Sequence, residues 1–149
     1  MEAVDTIRWL NLSDGDIRQV HAAAAKVLRG SPEVVAAYHY GSSARRQPAR
    51  DIDLALVVER DRAHALDTGP ITEAIAAECG RPVDDFDVRI VNDADPVFLG
   101  NLLRDGQRCY EGDRDARVAF EVRAMNAWRD FRPAWERMRR RVLELWSRG

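Results

Sequence analysis

Lysine is almost missing: Lys26 is the only one, and the other 22 of the 23 basic residues are arginine. Arginine suits bidentate pairing with phosphate or carboxylate, although genomic base composition can produce the same bias. Histidine and cysteine are scarce as well. His21, His39, His64, Cys79 and Cys109 fall at no metal-ligand spacing, which argues against zinc, and no nucleophile–histidine pairing points to hydrolysis. The two cysteines need not pair. There is no signal peptide and no long apolar run, so the chain reads as cytoplasmic and reduced, with no membrane partner. The net charge of -2 makes no bulk case for a nucleic-acid binder. No repeat, low-complexity tract or linker divides the 149 residues. They suit one α+β domain over 1–149 whose core is large enough to fold alone.

What is present centres on Gly41-Ser42-Ser43-Ala44-Arg45 and the strand-like Asp51-Ile52-Asp53-Leu54-Ala55-Leu56-Val57-Val58 that follows. Gly41 permits backbone angles closed to other residues, and Ser42 offers a hydroxyl, so the start reads as a turn. Ile52, Leu54, Leu56 and Val58 alternate as a half-buried strand requires, which sends Asp51 and Asp53 to the other face. Their Cα atoms then lie about 6.7 Å apart. Neighbouring carboxylates repel and lose solvation, a cost that a bound cation offsets. Gly-Ser alone is a common turn and Asp-x-Asp alone a common solvated strand end. In this order, eight residues apart (Ser43 to Arg50), they point to metal-nucleotide chemistry.

Around this centre the chain reads as alternating elements. Residues 1–12 form an N-terminal arm without clear period. Ser13 caps a helix with Ile17, Val20, Ala24, Val27 and Leu28 on one face, ended by Gly30. Val34 to Tyr40 is the first strand, and Ala44 opens a short helix whose amides would face a phosphate. Ile71 to Cys79 is helical and stops at Gly80. Pro82 to Val91 is the third strand, with Asp85, Asp87 and Arg89 sharing one face. Pro96 opens a helix closed by Asp105-Gly106, and Arg108 to Glu111 is a short strand. Residues 113–149 are a C-terminal helical segment in which Pro133 predicts a kink or break. From Ala116 onward nine arginines face four acidic residues. Trp135, Met138, Val142, Leu143 and Trp146 line one stripe there, beside Arg139-Arg140-Arg141, and read as a partner surface more than as a solvated face. His39 reads as a packed strand histidine; His21 and His64 read as surface residues.

Tyr40-Gly41-Ser42, Ala44-Arg45 and Asp51-Ile52-Asp53-Leu54 resemble the signature of the minimal nucleotidyltransferases of the DNA polymerase beta superfamily. Phe86-Asp87-Val88-Arg89-Ile90-Val91 is similar to the later strand that carries that family's third carboxylate. Pro96 to Arg104, Gly106, Tyr110 and the stretch from Asp113 continue the pattern, so the resemblance spans residues 34–133. It is strongest to the antitoxin-type members encoded beside a HEPN toxin. Three departures stand out: eight residues rather than roughly ten before the first Asp, Arg46 where Gly is common, and Arg50 where Ser is common.

The resemblance implies a small mixed sheet of the polymerase beta palm type, flanked by helices, and a nucleotidyltransferase that uses Mg²⁺ and ATP. Asp51, Asp53 and Asp87 would be its metal-binding and catalytic residues, with Asp87 taking the acceptor's proton. Strand parity alone would also admit Asp85. Gly41, Ser42 and Arg45 would bind the nucleotide. The acceptor would be a hydroxyl, a tyrosine on a partner HEPN toxin that AMP transfer would inactivate. Two other readings stand beside this one. The chain could be an antitoxin that neutralises by complex formation without catalysis. It could also be a small-molecule nucleotidyltransferase akin to the aminoglycoside-modifying enzymes, for whose extra helical domain the length leaves little room.

Overall fold

The computed structural model describes residues 7–149; the first half of the expected N-terminal arm, residues 1–6, lies outside the described residues. Helix α1 (Asp14–Leu28) starts on Ser13, whose hydroxyl accepts from the Asp16 amide while the Asp16 carboxylate accepts from the Ser13 amide. That reciprocal pair satisfies two amides the helix itself leaves free. Strand β1 (Val34–Tyr40) follows, then the four-residue turn α2 (Gly41–Ala44) and strand β2 (Ile52–Val58). Ala44 therefore closes the short helix rather than opening it. Gly41 enters the turn directly from the strand because its φ of 77° is open to glycine.

Helix α3 (Gly69–Cys79) stops at Gly80, which adopts the left-handed conformation (φ 64°). Strand β3 is shorter than expected, Phe86–Ile90, because residues Val83–Asp85 form a 3₁₀ turn. Helix α4 (Pro96–Asp105) is capped by the Asp95 carboxylate, which accepts from the Phe98 amide. Strand β4 (Gln107–Glu111) and helix α5 (Arg114–Ser147) complete the chain.

The four strands lie in the order β3-β2-β1-β4. Strand β1 runs antiparallel to β2 and β4, whereas β2 and β3 are parallel. This is the mixed α+β sheet expected. The half-buried expectation for β2 needs correction, since both of its faces are covered. Ile52, Leu54, Leu56 and Val58 join Val20, Leu28 and Ile75 of α1 and α3. Ala55 and Val57 pack on the other side with Leu99, Leu102 and Phe120 of α4 and α5. The second face reads as alternating because it opens on Asp53 and continues with the small Ala55 before Val57.

Pro133 produces no break: α5 runs unbroken for 34 residues. The residue is exposed, so the Arg129 carbonyl that loses its amide partner can turn to water. The first half of α5 packs on the sheet through Phe120 and Ala124. The second half does not, and Met138, Val142, Leu143 and Trp146 of the expected stripe are all exposed, Trp146 to 82%. Trp135 is half-buried. No helix among the described residues is long and apolar enough to cross a membrane.

The joint between α4 and α5 depends on Gly100, where a Cβ would come within 2.8 Å of the Trp128 ring. Alanine there gains up to about 1 kcal/mol of helix propensity but costs about 1–3 kcal/mol of overpacking against a ring atom that cannot swing away. Gly100→Ala is expected to lower stability by on the order of 1 kcal/mol, read as a lower urea midpoint at unchanged slope.

Candidate active site

The site begins where β1 ends. Tyr40 is the register partner of Asp53, so the turn from Gly41 sits directly over that carboxylate. A Cβ on Gly41 would lie 2.6 Å from Asp53 Oδ2. Glycine is thus required twice, for its φ and for the space. Asp53 in turn is the register partner of Asp87 across the parallel β2–β3 pair, and Asp51 stands just ahead of β2. Asp51, Asp53 and Asp87 each present an oxygen atom, and these oxygens all lie within 4.8 Å of one another. An all-oxygen carboxylate set of this size matches the preference of Mg²⁺, which binds a few carboxylates and completes its shell with water and phosphate. The donor chemistry therefore fits the cation that the resemblance implies.

The crowding of the three carboxylates registers at Asp53. Burial, then Asp87 and Asp51, push the Asp53 carboxyl up to about 6, with Arg89 opposing. Burial and then Asp53 push the Tyr40 hydroxyl up to about 12. Asp87 is held by Arg89, which donates to it from Nη2 at 2.7 Å and from Nε at 3.1 Å and 3.2 Å. The same pair raises the Arg89 guanidinium further above its ordinary range. Arg89 is an element that the expected site did not include, although its shared face with Asp87 was legible.

Asp85, which parity admitted, is elsewhere. It lies in the 3₁₀ turn, is 5% exposed, and faces Arg8 at 3.2 Å and Arg81 at 4.0 Å. The turn breaks the alternation on which the parity argument rested.

The short loop from Ser43 to Arg50 is braced from outside. Leu10 and Ala49 exchange two backbone hydrogen bonds of 2.7 Å and 3.0 Å, and the Arg50 guanidinium lies 5.6 Å above the Trp9 ring. Arg46 takes the left-handed conformation, φ 56°, at the position where glycine was expected, and its guanidinium reaches Asp14 at 3.1 Å. The described part of the N-terminal arm is thus a strut: Leu10 and Leu12 are buried. Its aperiodic sequence follows from packing as a single extended segment.

Beside Gly41 a cavity of about 280 Å³ opens, lined by Tyr40, Gly41, Arg45, Phe98, Asn101 and Arg104 among others. Phe98 stands edge-to-face to Tyr40 at 5.3 Å. Arg45 is largely exposed at its mouth, 3.9 Å from Asp105. Ser42 is half-buried in the turn. Sequence reasoning missed Phe98, Asn101 and Arg104, since nothing in an amphipathic helix says which strand end it will overhang. His39 is fully buried, as expected. His21 is not the surface residue expected: it is half-buried and paired with His39 at 3.0 Å. His64 is exposed.

A sequence model of the family described as polymerase beta, nucleotidyltransferase matches residues 23–115. No curated protein matches the chain by sequence. Among solved structures, the tri-AMPylated Shewanella oneidensis HEPN toxin in complex with MNT antitoxin gives a chain that is 16% identical with a TM-score of 0.59. That match covers 85% of this chain and 98% of that one. The toxin–antitoxin MntA-HepT matches at 16% identity and TM-score 0.58, covering 85% and 98%. A toxin–antitoxin with AMP-PNP matches at 17% identity and TM-score 0.57, covering 89% and 99%.

The raised pKa of Asp53 has a stability consequence. Its folded value lies above its ordinary one, so its contribution is intact below about pH 4 and is lost as pH rises through about 6. Above that range the ionised carboxylate costs the fold, by on the order of 1–3 kcal/mol after allowing for partial exposure. Asp53→Asn is therefore expected to melt higher than wild type at pH 7–8 without divalent cation, with the gap closing toward pH 4. Mg²⁺ should raise the wild-type melting temperature and leave the variant unmoved. Parallel melting curves across that pH range would rule the electrostatic account out.

Proposed function

The chain belongs to the polymerase beta nucleotidyltransferase family, and from that premise we propose that it transfers AMP from ATP to a hydroxyl, a tyrosine on a partner HEPN toxin. The observation that carries this reading is the convergence of Asp51, Asp53 and Asp87 beneath the Gly41 turn. The likeness to antitoxin chains from complexes with HEPN toxins, one of them tri-AMPylated, supports the choice of AMP and of the acceptor.

In this reading Asp51, Asp53 and Asp87 hold Mg²⁺, which when bound neutralises phosphate charge and favours in-line displacement. Gly41 lets the backbone turn over Asp53, which brings the Ser42 hydroxyl to the phosphates as a donor. Arg45, at the mouth of the cavity, can pair with the outer phosphates bidentately. The Tyr40–Phe98 edge gives the cavity an aromatic wall suited to a base. Asp87 accepts the proton of the acceptor hydroxyl as its oxygen attacks the α-phosphorus. The bond to the β-phosphate oxygen breaks, and pyrophosphate leaves with that electron pair. Arg89 must release Asp87 for this, and until then its hydrogen bonds hold the carboxylate in place.

That same Arg89 clamp, with the shortened basic loop, favours a second reading in which the chain neutralises its partner by complex formation alone. One experiment separates the two. The chain is incubated with a candidate HEPN toxin, Mg²⁺ and ATP, and the toxin's peptides are weighed. Transfer is expected to add one AMP mass to a tyrosine peptide, and Asp53→Asn to abolish both the mass shift and neutralisation. Asp87→Ala should slow transfer by about 10²–10⁴-fold. Neutralisation that survives Asp53→Asn with no mass shift in the wild type would select the binding reading.

A further inference from the structure

The Gly41–Ala44 turn has no side-chain cap at its start, yet two side chains hold it from beneath. His39 on β1 is wholly buried, and its Nε2 lies 2.7 Å from Ser43 Oγ. Gln107 on β4 donates from Nε2 to the Ala44 carbonyl at 3.0 Å. His39 and Gln107 are register partners across the β1–β4 pair, and such partners project to the same face. The two tethers therefore rise side by side from adjacent strands to successive residues of the turn. The His39 ring is itself braced, with Nδ1 3.0 Å from His21 Nε2 of α1 and the rings edge-to-face at 5.1 Å.

The proton count closes. A neutral imidazole has one N–H and one bare nitrogen. Either Ser43 donates to His39 and His39 to His21, or the whole chain reverses; in both cases each contact holds one proton. Burial lowers the pKa of both rings, that of His39 to about 4 with His21 adding repulsion, so both are neutral at physiological pH. An apolar side chain would fill this core position without needing partners. A buried imidazole loses stability for each nitrogen left unpaired. Its two partners here lead to the turn and to the brace.

We propose that His39 and Gln107 are positioning residues of the nucleotide site, holding the Gly41–Ala44 turn in the shape that receives a triphosphate, with His21 fixing the His39 ring. This inference rests on the nucleotide-transfer reading above. It separates the turn from the carboxylates: the tethers act on phosphate binding and not on the cation.

The test is isothermal titration of wild type, Ser43→Ala, Gln107→Ala and His39→Leu with Mn²⁺ alone and, separately, with Mg-ATP. Ser43→Ala and Gln107→Ala are expected to weaken Mg-ATP binding about tenfold each while leaving Mn²⁺ affinity unchanged. Ser43→Ala added to His39→Leu should cost nothing more, because the two side chains form one link. If His39→Leu does not fold, the two milder variants carry the test. Wild-type Mg-ATP affinity in either variant overturns the role of its tether, and an equal loss of Mn²⁺ affinity reduces that tether to general support of the fold. Wild-type protein that binds Mn²⁺ but no Mg-ATP overturns the nucleotide reading itself, and this inference with it.

Discussion

The parallel pairing that sets Asp53 beside Asp87 is the constraint on which the rest of the site depends. Two carboxylates forced side by side on neighbouring strands repel, and partial burial strips them of the water that would screen them. Asp51 adds a third. Holding such a cluster costs the sheet stability, most of all above the Asp53 value of about 6, where that carboxylate is ionised. Arg89 answers part of the charge by chelating Asp87, so the cluster is balanced on one side and open on the other.

That crowding dictates the backbone above it. Gly41 has to be glycine because Asp53 occupies the space of a side chain, and the turn that follows cannot be stabilised by a cap of its own. The molecule braces it from three directions instead: His39 from β1, Gln107 from β4, and the Leu10–Ala49 bridge from the arm. A loop this short has little freedom to lose, and external bracing lets it tolerate Arg46 in a left-handed conformation. The strut from residues 7–12 thus belongs to the site as much as to the core.

Helix α5 divides by function. Its first half closes the second core face through Phe120, Ala124 and the Trp128–Gly100 contact. Its second half carries an arginine-rich surface and, in Met138, Val142, Leu143 and Trp146, apolar side chains left exposed among the described residues. The helix can afford Pro133 because the proline sits where the neighbouring backbone is already wet.

Much of this was legible in the residues. The Gly-Ser turn, the Asp-x-Asp on β2, the Ser13 cap, the Gly80 stop and the order of helices and strands follow from local rules of capping, glycine freedom and alternation, which act within a few residues. The family likeness rested on those same local patterns. What was missed lay mostly in contacts between distant parts of the chain, although the resemblance had joined Asp87 to Asp51 and Asp53. Strand parity admitted Asp85 because a 3₁₀ turn is invisible to alternation. His21 was read as a surface residue because its partner lies on a strand, 18 residues away. Phe98 and Asn101 gave no sign of lining the cavity beside Gly41. The sequence by itself determined which side chains could do the chemistry, since carboxylates, glycine and arginine carry their properties wherever they stand. Only the tertiary structure decided which of them meet, because strand register and helix docking are set by the packing of two cores at once, and that packing is a property of the whole chain.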